Sequence, residues 1–319
     1  MKRIGVLTSG GDAPGMNAAI RSVTRAAIYN NLDVIGFRRG YEGLLEGDGI
    51  PLTVSSVGGI IHRGGTILRT ARCDRFTTPE GVREGFQRLK AYDIDALVVI
   101  GGDGSFRGAY ELHKLGFPVV GIPGTIDNDM AGTDCTIGFD TACNTALQCI
   151  QKLRDTASSH ERLFIVEVMG RAAGFLALEA AVAAGAECVL VPEQPFDIEQ
   201  LCKKLHYAKE RGKTHSLIIV AEGVMPASEL AHKLKDTASY DARIIVLGHI
   251  QRGGSPSSFD AVLASRLGGG AIEALLRGEY GTMVGRTSGK IVTNPIQVAW
   301  EEKKGLDADM MTLVDILGI

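Results

Sequence analysis

Ala96-Leu97-Val98-Val99-Ile100 runs directly into Gly101-Gly102-Asp103-Gly104-Ser105. Five apolar residues in a row leave no solvated face, the mark of a strand covered on both sides. A glycine-rich loop with one aspartate follows, and after it an amphipathic stretch, Ser105–Leu115. Strand, loop and helix in that order form one βα unit of a parallel sheet. The unit recurs in both directions along the chain. Strand segments are read at Ile4–Thr8, Asp33–Phe37, Val119–Ile122, Leu163–Val168, Cys188–Val191, Leu217–Ala221 and Ile244–Leu247. Helical patterns fill the gaps at Met16–Asn30, Pro79–Tyr92, Thr141–Ser158, Gly174–Ala184, Ile198–Arg211 and Ser257–Leu276. The alternation predicts an α/β fold class, with two doubly wound Rossmann-like domains and mainly parallel sheets.

Composition supports a large packed core. The chain has 319 residues, 45% of them hydrophobic, which suits about two domains at roughly 150 residues each. Glycine accounts for 41 of the 319 residues, well above the usual ~7%. The excess carries no Gly-X-Y period, so a collagen-like chain is excluded. No linker, charge block or low-complexity segment marks a boundary. The glycine turns at Gly138 and Gly253-Gly254 are where the chain is expected to cross between lobes. A net charge of −3 offers no basic surface for nucleic acid or for a membrane. The N-terminus reads directly into a strand with no signal peptide, and no apolar run approaches the ~18 residues that span a bilayer. The six cysteines form no CxxC pair and are expected as reduced thiols in a cytoplasmic protein. The seven histidines show no HExxH-like spacing, so no structural metal is expected.

Chemistry concentrates in three loops after strands. Thr8-Ser9-Gly10-Gly11-Asp12-Ala13-Pro14-Gly15 ends the first strand and opens a helix. It is neither GxGxxG nor GxxxxGK[ST], so it is either a tight βα turn or an anion cradle at a helix N-terminus. Gly101-Gly102-Asp103-Gly104-Ser105 places an aspartate where it can face Mg²⁺ while backbone N–H groups face phosphate oxygens. The plainer alternative is that Asp103 or Ser105 merely caps the next helix. Pro123-Gly124-Thr125-Ile126-Asp127-Asn128-Asp129 holds two carboxylates two residues apart. In an extended segment they point the same way, one as a base and one toward a metal-bound water shell. An ordinary Asx-rich turn is the alternative. Arginine forks suit phosphate oxygens, and Arg72, Arg162, Arg171, Arg243 and Arg252 are the candidates. Arg171 and Arg252 stand out because glycine-rich turns hold them.

Ser9-Gly10-Gly11-Asp12, the two later loops, Met169-Gly170-Arg171 and Gly248-His249-Ile250-Gln251-Arg252-Gly253-Gly254 together resemble the bacterial ATP-dependent 6-phosphofructokinase family. The resemblance runs from Met1 to about Gly285. It implies transfer of the γ-phosphoryl group of the co-substrate ATP, with Mg²⁺, to the 1-hydroxyl of fructose 6-phosphate. Asp127 is then the base. Asp103 holds Mg²⁺, and Asp129 supports it through water. Thr125, Arg72 and Arg171 stabilise the transferring group. Gly11, Arg72, Cys73, Gly102, Asp103, Gly104 and Ser105 correspond to the ATP site. The sugar-phosphate site takes Thr125, Asp127, Met169, Gly170, Arg171, Glu222, His249 and Arg252. Arg162 and Arg243 match residues that reach in from a neighbouring subunit of a homotetramer. The expected division is 1–138 plus 251–305 for ATP and 139–250 plus 306–319 for fructose 6-phosphate.

Pyrophosphate-dependent relatives typically carry an aspartate where Gly104 sits and a lysine where Gly124 sits, so glycine at both positions favours ATP. The resemblance also implies a second, effector site for nucleoside diphosphate and phosphoenolpyruvate. Arg21, Arg25, Arg154, Gly185, Glu187, Lys213 and His215 match it, with Arg211 at a usual lysine position. Val54 stands where an effector-contacting arginine is common, and Gly59 where an acidic residue is frequent, so regulation is expected to be weak or altered. Two rivals share parts of the pattern. NAD and diacylglycerol kinases have the GGDG loop, and a two-lobed sugar- or nucleotide-binding regulator has the layering but gives Asp127 and Asp129 no role.

Overall fold

The computed structural model describes residues 1–160 and 162–318, with the side chains of 156–160 left out. In chain order, the elements begin with β1 (Arg3–Thr8), α1 (Met16–Tyr29), β2 (Asp33–Phe37), α2 (Gly40–Glu46), β3 (Gly49–Leu52) and α3 (Pro79–Ala91). Next come β4 (Ala96–Gly101), α4 (Asp103–Lys114), β5 (Val119–Pro123), α5 (Phe139–His160), β6 (Leu163–Val168) and α6 (Phe175–Ala184). Then follow β7 (Cys188–Leu190), α7 (Ile198–Glu210), β8 (Ser216–Ala221), α8 (Ala227–Ala238), β9 (Ala242–Val246) and α9 (Ser258–Arg277). The chain closes with β10 (Thr282–Thr287), β11 (Lys290–Pro295), α10 (Val298–Glu301) and α11 (Ala308–Leu317).

The chain forms two compact units. The first comprises Met1–Ile126, Met130–Thr141 and Arg252–Lys304. Its seven-stranded sheet has the order β11-β10-β5-β4-β1-β2-β3. The five central strands run parallel, and β3 and β11 pair antiparallel at the edges. The six residues of β4 and the five of β5 are all buried, as continuous apolar runs require. A core cluster around Leu7, Phe37, Leu97, Val99, Phe106 and Met283 packs against the sheet. The order reverses at β1, since α1 leads outward to β2 while β4 and β5 lie on the other side. In open parallel sheets that switch point is where ligands bind, and the three glycine loops follow the adjacent strands β1, β4 and β5.

The second unit comprises Asp127–Asp129, Ala142–Gln251 and Gly305–Ile319. Its sheet is wholly parallel, in the order β7-β8-β6-β9. Ile165, Ile218, Val220, Leu205 and Leu230 belong to its core. Here β9 departs from expectation. The Ile244–Leu247 run reads as buried, but Ile244 is 42% and Val246 59% exposed. The cause is position: β9 is an edge strand that pairs with β6 alone. Arg243, which the sequence places before a strand, lies within β9.

Candidate active site

In the first unit, the turn after β1 is stitched to the segment that carries Arg72. Thr70 Oγ1 donates to the Gly10 carbonyl at 2.6 Å, and Thr8 Oγ1 to that of Arg69 at 2.8 Å. Buried Asn17 adds three bonds: Nδ2 donates to the carbonyls of Arg63 and Gly64, and Oδ1 accepts from Ile67 N. A Cβ on Gly11 would lie 3.0–3.2 Å from the Arg252 guanidinium, so that arginine covers the turn. Arg72 itself is exposed. Burial, with a hydrogen bond to Glu42, pushes the neighbouring Cys73 thiol up to about 11. Cys73 is therefore a neutral thiol near neutral pH rather than a nucleophile.

The turn after β4 is shaped by close approach. A Cβ on Gly101 would stand 2.5 Å from both the Ser9 carbonyl oxygen and Ser105 Oγ, so only glycine fits. The N-cap of α4 is Gly102, and no side chain caps the helix. Asp103 is therefore not consumed as a cap. It is 39% exposed and pairs one turn on with Arg107 Nε at 2.8 Å. The space over Gly104 is open, and Thr125 stands beside Gly102. An uncapped helix N-terminus, a half-exposed carboxylate and an open glycine suit a phosphate chain.

The turn after β5 differs from the extended form expected for its two aspartates. Asn128 has φ 53°, in the left-handed region that asparagine tolerates, so alternation along a strand does not set the carboxylate directions. Asp127, Asn128 and Asp129 instead group with the second unit. The Asp127 side chain is 4% exposed, and one carboxylate oxygen lies 3.4 Å from Arg171 Nε. Thr125, two residues earlier in the chain, has its carbonyl held by Thr136 Oγ1 at 2.6 Å.

In the second unit, Met169-Gly170-Arg171 follows β6, Glu222 follows β8, and His249 follows β9. Glu222 Oε1 accepts from Gly170 N at 3.2 Å and from Arg171 N at 2.8 Å. Its carboxylate thus holds the turn, a task the sequence did not reveal. Arg162 and Arg243 lie at the other end of this sheet. Arg162 precedes β6, and Arg243 is in register with Phe164. The five steps of β6 span about 17 Å at ~3.3 Å per residue, so these arginines do not join Arg171 within one chain.

Four of the expected effector residues come together in the second unit. Arg154 Nη2 donates to the Gly185 carbonyl at 2.6 Å. Glu187, 2% exposed, pairs with Lys213 at 3.0 Å and accepts from Leu217 N at 2.5 Å. Lys213 also donates to the Gly318 carbonyl at 3.2 Å. His215 contacts Thr214, and the Arg211 guanidinium lies 5.5 Å from the Tyr207 ring centroid. Lys213, His215 and Arg162 line a cavity of about 440 Å³. Arg21 and Arg25 lie on α1 of the first unit, Val54 is 45% exposed, and the position of a Gly59 Cβ is open.

A family model described as phosphofructokinase matches residues 3–275. A Bacillus pumilus protein named ATP-dependent 6-phosphofructokinase is 56% identical over 319 residues, covering 100% of both chains. One of the same name from Halalkalibacterium halodurans is 54% identical over the same span, again covering 100% of each. Among solved structures, phosphofructokinase from Saccharomyces cerevisiae is 37% identical with a TM-score of 0.87, covering 93% of this chain and 45% of that one. A pyrophosphate-dependent phosphofructokinase from Marinobacter aquaeolei superposes with a TM-score of 0.85 at 23% identity, covering 99% and 91%, a likeness of fold.

Proposed function

Because this chain belongs to the phosphofructokinase family, we propose that it moves the γ-phosphoryl group of MgATP to the 1-hydroxyl of fructose 6-phosphate. The products are fructose 1,6-bisphosphate and ADP, in the committed step of glycolysis. The observation that carries the chemistry is the buried Asp127 carboxylate beside the Arg171 guanidinium. Asp127 accepts the proton of the sugar hydroxyl as it attacks. Arg171 orients that carboxylate and, with Thr125 and Arg72, offsets charge on the transferring group. Gly11, Gly102, Gly104 and Ser105 bring backbone close to the nucleotide phosphates, with Cys73 alongside. Met169, Gly170, Glu222, His249 and Arg252 serve the sugar phosphate.

Among the described residues, no cluster of three or more His, Cys, Asp or Glu forms a metal site. Magnesium carried on a nucleotide requires only one or two protein carboxylates, since phosphate oxygens and water complete its shell. Asp103, half-exposed beside the open space over Gly104, fits that demand. When bound, the ion neutralises charge on the β- and γ-phosphate oxygens. Asp129 takes the supporting role through water. The open space at Gly104 also favours a nucleotide donor over pyrophosphate, the alternative reading.

The opposite placement of Arg162 and Arg171 along β6 supports a homotetramer in which Arg162 and Arg243 complete a neighbour's sugar site. No described helix is long and apolar enough to cross a membrane, and glycolysis places the enzyme in the cytoplasm. The nucleotide is assigned to the first unit and fructose 6-phosphate to the second. Arg21, Arg25, Arg154, Gly185, Glu187, Arg211, Lys213 and His215 are assigned to the effector site, with weak or altered regulation because Val54 supplies no arginine there. The test is turnover of fructose 6-phosphate with ATP and, separately, with pyrophosphate. Turnover with ATP is the expected result, and a strict pyrophosphate requirement would reject the donor assignment.

A further inference from the structure

Three consecutive backbone N–H groups after β6 are each taken by a side chain from the segment that follows a neighbouring strand. Glu222, directly after β8, accepts from Gly170 N and Arg171 N. Gln251, in the short 3₁₀ turn Gly248–Arg252 after β9, accepts at Oε1 from Met169 N at 3.0 Å. β8 and β9 flank β6 in the sheet, so the turn is gripped from both sides. The grip holds an unusual backbone. Gly170 has φ 142° and Arg171, which is not a glycine, has φ 52°. A residue held in that region persists only where its surroundings over-determine it. Arg171 is also the group 3.4 Å from the Asp127 carboxylate.

Gln251 is fully buried. Its Nε2 finds no acceptor among the described residues. An apolar residue would avoid the penalty of that desolvated donor. The retained amide therefore calls for a specific duty of Oε1. The geometry points to Gln251 as a positioning residue of the phosphoryl-transfer site. It anchors Met169 N, which fixes the start of the Met169–Arg171 turn and so the place of the Arg171 guanidinium at Asp127. The inference rests on the reading of Arg171 given above.

The experiment is a double-mutant cycle in the full-length enzyme, with fructose 6-phosphate binding measured by calorimetry beside turnover. Gln251→Met keeps the volume and removes the acceptor. It is expected to lower kcat about 10- to 100-fold, as misplacement of a catalytic group by about 1 Å does. In an Arg171→Ala background the same change is expected to cost less than about threefold, because the group it positions is gone. Gln251→Glu keeps an acceptor at Oε1 and is expected to restore kcat to within about fivefold of the parent. Equal losses in both backgrounds, or a Gln251→Glu enzyme as impaired as Gln251→Met, overturn the proposal. Should Gln251→Met not fold, Gln251→Asn, with its acceptor one methylene short, replaces it under the same criteria. A parent that binds no fructose 6-phosphate, or an Arg171→Ala enzyme with full turnover, would instead count against the underlying functional reading.

Discussion

Asp127 is both buried and paired, and that combination makes its loss specific. Replacing it with alanine removes the proposed proton acceptor and leaves the Arg171 guanidinium without that carboxylate. Turnover is expected to fall at least ~10²-fold with KM for fructose 6-phosphate changed far less. Steady-state kinetics check this, and unchanged kcat rejects the base assignment. A second residue gives a purely structural test. The Asp95 carboxylate accepts from Lys2 N and Arg3 N, and those bonds hold it below its ordinary value of 3.8. Its stabilising contribution is therefore present above the unfolded value and is lost as pH falls through the lower folded value. Asp95→Asn is expected to weaken the fold more near neutral pH than at an acid pH well below the ordinary value of 3.8. Denaturant midpoints at the two pH values decide it. Of the site residues, those in glycine loops were legible because the loops need particular residue types. Asn17 and Gln251 were not, because a buried amide has no sequence pattern that distinguishes one task from another.

At the scale of elements, the βα turns are where small changes propagate furthest. A Cβ on Gly101 meets a backbone carbonyl and a buried hydroxyl at 2.5 Å, so Gly101→Ala must displace the turn before α4. The expected outcome is KM for ATP raised at least about tenfold, equivalent to ~1.4 kcal/mol of lost binding. The start of α5 depends on a different device. Asp260, fully buried, accepts from Gly138 N, Thr141 N and Thr141 Oγ1. Burial raises its proton affinity while these three donors oppose the shift. Asp260→Ala leaves all three without that acceptor, and a loss of about 3–5 kcal/mol is expected, read as a lower Tm. Elements with continuous apolar runs were readable from sequence. The β10–β11 hairpin, with its turn Ser288-Gly289 at φ 49° and 81°, was not. Its strands alternate polar and apolar residues weakly, and the pairing of β10 with β5 is what fixes it.

For the whole molecule, the decisive question is which sugar site Arg162 serves. If it completes a neighbour's site, Asp127→Ala and Arg162→Ala chains, each impaired alone, rescue one another when mixed. A hybrid pair keeps one intact site, so random mixing should recover roughly a quarter of parental turnover. No recovery after verified subunit exchange rejects the shared site. Regulation is tested on the same preparation. With valine rather than arginine at position 54, an effector phosphate is expected to bind about 1.5–3 kcal/mol more weakly, roughly ten- to a hundredfold. Saturable activation by ADP, or inhibition by phosphoenolpyruvate, at sub-millimolar concentration overturns the expectation of weak regulation.

Local chemistry was determined by the sequence alone. Apolar runs too continuous for a solvated face imposed parallel sheets, and glycines at strand ends marked the loops proposed to receive phosphates. Tertiary structure decided how those pieces meet. It placed β9 at an edge despite its apolar run, turned Asn128 into the left-handed region, and assigned Glu222 and Gln251 to hold a turn far from them in the chain. The reason is physical. Strand and turn preferences arise from neighbours within a few residues, whereas sheet order and the partner of a buried amide depend on residues about 30 to 160 positions away, for which a local pattern carries no signal.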